Sequence, residues 1–173
     1  MKKLLCVCVL AMACLVGCGN NEGGNKETTT TPKADTPSKT EGYVFEVSGT
    51  EVGIDMLAAP IIEKLGEPNK YFESESCAFA GLDKTYDYGS YKIETYQIEG
   101  VDYISSVYFV DDMVSTKEGL SLFMTKADME AKYGTDYKED TGSYSYDKGD
   151  MTLRIIIEND QIVTIEYYTH FIG

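Results

Sequence analysis

The sequence predicts an α+β fold: two tandem units, each a short helix followed by an antiparallel meander, sharing one sheet with the helices on one of its faces. Three observations predict it. Short stretches echo one another in the same order: Thr50–Met56 with Thr116–Leu122 at an offset of 66, Glu63–Gly66 with Ala131–Gly134 at 68, and both Tyr86-x-Tyr88 with Tyr144-x-Tyr146 and Ile104–Val107 with Ile162–Ile165 at 58. Each half carries a helix signal of about two turns that stops at a glycine. Each half then ends in hydrophobic alternation of period two, the mark of strands with one buried face. A helix and a meander cannot cover their own sheet, so two such units must share one core.

Taken from the N-terminus, the first element is not part of that core. Lys2-Lys3 precede an apolar run from Leu4 to Val16, the layout of a secretory signal over residues 1–17. The run is too short to stay in a bilayer as a spanning helix. It ends in Leu15-Val16-Gly17-Cys18, which resembles the bacterial lipobox, in which the cysteine takes a diacylglyceryl group, is palmitate-acylated and becomes the mature N-terminus. An ordinary signal with an incidental cysteine is the alternative. Cleavage before a lipidated Cys18 would remove Cys6, Cys8 and Cys14, leaving Cys77 as the one unmodified thiol and no intramolecular disulfide. From Gly19 to Gly42 the chain is dominated by Gly, Asn, Thr, Lys, Pro and Ser, with a few acidic residues, and has no aromatic or branched aliphatic residue. Such a segment cannot bury enough apolar surface to offset its ordering entropy. With Cys18 it forms an 18–42 tether, whose reach is about 27 Å by the flexible-chain relation.

The globular unit, residues 43–173, divides into a first repeat at 43–112 and a second at 113–173. In the first, Pro60 in an opening turn and Gly66 followed by Pro68 bracket a helix from near Ala58 to Leu65. In the second, Thr125-x-x-Asp128 resembles a capping box and Gly134 is the stop. Met151, Leu153, Ile155 and Ile157 alternate with Thr152, Arg154, Ile156 and Glu158; a turn over Glu158–Gln161 then sends Ile162–Tyr168 back. The first repeat shows the same hairpin more weakly, with Tyr91, Ile93 and Thr95 against Lys92, Glu94 and Tyr96 and a turn near Glu99-Gly100. About ten extra residues lie between Gly66 and Tyr86, and within them Cys77–Leu82 is apolar enough for a strand or a buried loop.

The order of short helix, Leu65-Gly66-Glu67-Pro68, Tyr-rich strand and hairpin resembles the outer-membrane assembly lipoproteins of the SmpA/OmlA type, and in tandem it is similar to the secreted beta-lactamase inhibitor protein fold. Ser76–Tyr86 also resembles a segment of lipoproteins from Gram-positive anaerobes. The resemblance spans most of residues 48–170, although the second unit lacks a proline after Gly134. It implies the architecture and a habit of binding other proteins, and it supplies no catalytic residue.

The chemistry legible in the chain is sparse. The whole chain has 29 Asp and Glu against 15 Lys and Arg, a net charge of −14, and residues 43–173 hold 25 acids and 10 bases. That balance excludes nucleic acid, whose phosphates demand a basic footprint. It also keeps the domain off anionic lipid, so the membrane is reached through the anchor alone. His170 is the single histidine. A Cys77–His170 dyad lacks an orienting third group, and a cysteine packed as a small hydrophobe is the plain alternative. Neither Asp111-Asp112 nor Asp147-x-x-Asp150 fits a twelve-residue calcium loop, and solvated turns account for them. No phosphate-binding, dinucleotide, zinc or nucleophile motif occurs. The expectation is therefore no enzyme, no cofactor and no metal.

Fourteen tyrosines suit strand packing and cross-strand pairs. The sheet face turned from the helices carries Lys92, Glu94, Tyr96 and Ile98 in one hairpin and Thr152, Arg154, Ile156 and Glu158 in the other. At the offset of 58, Tyr96 falls on Arg154, the one arginine of the chain, and Ile98 on Ile156. Tyrosine and arginine often dominate protein interfaces. Lys92, Glu94, Tyr96, Ile98, Thr152, Arg154 and Ile156 are accordingly the expected partner-binding residues; an ordinary solvated strand face is the competing account. Two functions follow as expectations. One is a lipid-anchored extracytoplasmic module at the cell membrane that binds an envelope protein without catalysis. The other is a lipoprotein that binds a small ligand or cation, a solute or a cell-wall fragment.

Overall fold

The computed structural model describes residues 42–77 and 80–171. Residues 1–17, Cys18 and the tether as far as Glu41 lie outside the described residues. The described chain is α+β, with two short helices and a mostly antiparallel architecture. Strands β1 (Val44–Val47) and β2 (Thr50–Gly53) form a two-stranded sheet, and α1 (Ala58–Leu65) follows. Then come β3 (Lys70–Glu75), β4 (Leu82–Asp87), β5 (Tyr91–Ile98) and β6 (Val101–Phe109). Helix α2 (Lys126–Tyr133) precedes β7 (Lys138–Asp140), β8 (Ser143–Lys148), β9 (Met151–Glu158) and β10 (Gln161–Thr169). These eight strands make one antiparallel sheet in the order β3-β4-β5-β6-β10-β9-β8-β7. No described helix is long and apolar enough to cross a membrane.

Local chemistry explains the elements. Helix α2 begins at a complete capping box: the Asp128 amide donates to Thr125 Oγ1 at 3.2 Å, and the Thr125 amide donates to Asp128 Oδ2 at 2.9 Å. Helix α1 has no side-chain cap at Leu57, so its stability rests on burying Ala58 and Ile61. Ile98–Val101 and Glu158–Gln161 are closed by two-residue turns, Glu99-Gly100 and Asn159-Asp160, whose residues all have positive φ. That twist matches the twist of paired strands, which is why such short turns close hairpins.

One face of the sheet makes the core. Ile93, Val107, Phe109, Leu153, Ile155, Ile165 and Tyr167 are buried in a single cluster with Phe45 and Val52 of the small sheet, Ile61 of α1 and Met129 of α2. Fully burying an aliphatic side chain of this size contributes about 1.5–3 kcal/mol, enough to hold helices of eight residues that would not persist alone.

Several expectations change here. Thr50–Gly53 is a strand, whereas Thr116–Leu122 contains none, so the first sequence echo joins unlike structures. The two hairpin turns stand 60 residues apart rather than 58. Arg154 thus matches Glu94, and Ile156 matches Tyr96. Cys77 lies between β3 and β4 and is exposed rather than buried, following a strand whose own residues are all exposed. Strand β3 carries no alternation in burial, all six residues being exposed, so periodicity did not reveal it.

Candidate interaction surface

The face opposite the core is set by strand register. With Ile93 and Leu153 turned inward, their neighbours Lys92, Glu94, Thr152 and Arg154 turn outward, and cross-strand partners turn with them. At the centre, β6 and β10 pair only over Ser106–Tyr108, with Tyr108 opposite Glu166 and Ser106 opposite Tyr168. Tyr108 and Tyr168 therefore flank the seam on the outer face. Lys92 lies across from Tyr108, and Thr152 across from Tyr168.

Arg154 is the charged hub. It is ion-paired to Glu166 on the adjacent strand, and its guanidinium sits 5.3 Å from the Tyr168 ring centroid. Burial raises the Glu166 carboxyl above its usual range, and the attraction of Arg154 only partly opposes this. At the matching place in the first hairpin, Glu94 accepts a hydrogen bond from Ser106 Oγ at 3.0 Å. Lys92 approaches Asp87 at 4.0 Å. A half-open aromatic and charged centre of this kind can meet a partner through stacking and charge-assisted hydrogen bonds.

Beyond β9 the face falls into a shallow hollow of about 220 Å³ lined by Lys138, Glu139, Asp140, Ser143, Ser145, Asp147, Thr152 and Tyr168. Thr152 Oγ1 donates to Asp147 Oδ1 at 2.6 Å and lies 2.7 Å from His170 Nε2. A hydroxyl has one proton, so His170 must donate through Nε2. Lys138, bonded to Asp147 at 2.6 Å, and Thr152 hold the Asp147 carboxyl below the usual aspartate range. Among the described residues no group of three His, Cys, Asp or Glu side chains could hold a metal ion.

The expected residues divide in this setting. Lys92, Glu94, Arg154 and Ile156 lie on the outer face with accessible surface, and Ile98 is 38% exposed at the hairpin end. Tyr96 and Thr152 are each only 3% exposed, so neither presents a binding surface. Tyr96 stacks on Tyr103 and Phe171, and its hydroxyl donates to Asp55 Oδ1 at 2.9 Å. Thr169 Oγ1 donates to the other carboxylate oxygen at 3.0 Å. Asp55 sits where residues 55–57 bond to Tyr103–Ile104 of β6, filling the fork that opens as β6 and β10 part. Tyr96 is a structural clamp on that fork.

Sequence reasoning passed over Tyr108, Ser106, Glu166 and Tyr168. Continuing the alternation from Val107–Phe109 and Ile165–Tyr167 would have found them, because their neighbours are the inward residues of the return strands. Cys77 and His170 lie on different parts of the fold: Cys77 is in the β3–β4 connection, and His170 follows β10 beside Thr152 and Asp147. No family model, curated protein or solved structure matches the chain.

Proposed function

We propose that this chain is a membrane-anchored extracytoplasmic lipoprotein that binds a protein of the cell envelope, without catalysis, through the outer face of its sheet. The observation that carries the reading is the arrangement at the seam, where Tyr108 and Tyr168 flank the centre and Arg154 lies over Tyr168 beside Glu166. Lipidation at Cys18 and the 18–42 tether complete the reading, with the anchor holding the domain near the bilayer and its acidic body holding it off. The tandem architecture belongs to the same proposal, as do the SmpA/OmlA-like and beta-lactamase-inhibitor-like resemblances. It draws support from a strand order in which β3 to β6 and β7 to β10 run outside-in from opposite edges, each group preceded by one helix. Glu94 with Ser106 and Arg154 with Glu166 then occupy matching cross-strand positions.

Site-specific photocrosslinking in intact cells tests the surface. A probe at Tyr108 is expected to capture a discrete protein adduct that Arg154→Glu weakens, while a probe at Lys64 on α1 captures none. Equal capture from both positions, or none from Tyr108, refutes the surface. The anchor is tested separately by Cys18→Ala, which should abolish acyl labelling and release the protein from membranes. The polar hollow beside Thr152 and Tyr168 favours a second reading, a small ligand or cation bound there. A thermal shift with Ca²⁺ or wall sugars that is lost in Asp147→Asn would support it, because selective binding to the native state raises its stability.

A further inference from the structure

We propose that the exposed edge strand β3 pairs with β3 of a second copy of this chain, antiparallel and about a two-fold axis at Phe72, joining two eight-stranded sheets edge to edge. The ends of the sheet differ in kind. β7 is three residues long and its side chains are engaged: Lys138 with Asp147, Glu139 with the Tyr144 hydroxyl and Asp140 with Thr141. A short, charged, tied-down strand is the usual protection of an edge. β3 is six residues long, pairs on one side with β4 along its whole length, and on the other with no strand among the described residues. Its two aromatics are exposed, Tyr71 at 49% and Phe72 at 64%; Tyr71 packs on Tyr86 and donates its hydroxyl to Glu73, and Phe72 is the more open of the two. An extended edge with exposed aromatics is a template for another strand.

The residues select both the occupant and the register. A two-fold axis perpendicular to a continuous sheet keeps each face on its own side, so residues that meet must share a face. With the axis at Phe72, Phe72 meets Phe72, Lys70 meets Ser74, Tyr71 meets Glu73 and Asn69 meets Glu75. Aromatic pairs are favourable across antiparallel strands, and no like charges stand opposite one another in this register. An axis at Glu73 sets Glu73 against Glu73. An axis at Tyr71 brings in Pro68, which has no amide proton to give the ladder. The strand is thus self-complementary in one register. The opposing force is the charge of the bodies, which repel across a screening length of about 8 Å at physiological salt. Association should therefore strengthen as salt is added.

The test uses the full chain with Cys77→Ala as the parent. In antiparallel pairs, opposite α-carbons lie about 4.5–5.5 Å apart, within the span of a disulfide. Phe72→Cys in this background should give an oxidation-dependent covalent homodimer well above the parent. Glu75→Cys should not, since its two copies would lie about 20 Å apart along the strands. No gain at position 72, equal yields at both positions, or an adduct with a different protein overturns the proposal. Because Phe72 is already exposed, Phe72→Lys should keep its circular dichroism while sedimenting as a monomer. A folded Phe72→Lys that still dimerises, or a wild-type dimer that weakens with added salt, also overturns it.

Discussion

Glu166 and Arg154 illustrate how a partly buried ion pair behaves at the sheet surface. Burial raises the Glu166 carboxyl although Arg154 is bonded to it, so desolvation outweighs attraction. A carboxyl whose folded pKa lies above its unfolded value disfavours folding at neutral pH and does so less as the pH falls through the folded value. Removing Arg154 leaves that charge uncompensated. Arg154→Ala should lower stability by about 1–3 kcal/mol at pH 7, with the gap to wild type narrowing toward pH 4.5. Urea titrations at the two pH values check this, and a gap that stays constant refutes it. Asp147 has the opposite sign. Lys138 and Thr152 lower its pKa, so it contributes stability above the ordinary aspartate value and loses it as the pH falls through the folded value. Asp147→Asn is expected to destabilise at pH 7 and to cost progressively less as the pH falls below the ordinary aspartate value. Asp55 follows Glu166 in direction: burial raises it against the hydrogen bonds from Thr169 and Tyr96.

At the scale of elements, the two helices have the same length and different supports. Thr125→Ala removes the reciprocal cap of α2 and should cost about 1 kcal/mol. Ile61→Ala in the uncapped α1 removes buried packing and should cost about 2–5 kcal/mol. The prediction is the ranking: a Thr125→Ala midpoint lower than that of Ile61→Ala in thermal or urea unfolding contradicts the account. Both helix boundaries were legible because proline, glycine and capping residues act within one turn. The hairpins β5–β6 and β9–β10 were legible because buried alternation and tight turns are local patterns. β3 and the exposed Cys77 connection were not, since a strand exposed on both faces leaves no periodic trace. The β1–β2 pair was hidden for a related reason: at four residues each, its strands are too short for alternation to stand out.

For the whole molecule, residues from β5, β6, β8, β9 and β10 and from both helices belong to one buried cluster, while the edge strands β3 and β7 are exposed throughout. The joining seam is narrow, three residue pairs between β6 and β10, with residues 55–57 bonded to β6 where the strands part. A single core predicts a single transition. Urea unfolding followed by tyrosine fluorescence and by far-ultraviolet circular dichroism should give coincident curves, and two separated midpoints would mean that the sheet divides at the seam. Added salt should raise the midpoint, because residues 43–173 carry fifteen more acids than bases and screening relieves their repulsion.

The amino-acid sequence alone determined the α+β class, both helix stops, the two main hairpins and the outward direction of Lys92, Glu94, Arg154 and Ile156. Capping, turn chemistry and a period of two operate between near neighbours and need no knowledge of the rest of the chain. Tertiary structure decided which outward residues remain accessible. Tyr96 follows the same alternation as Glu94, yet Phe171 and Asp55 close over it from distant parts of the chain. It also brought Tyr108 and Tyr168 together across the seam, because pairing between strands some sixty residues apart depends on the packing of the whole sheet.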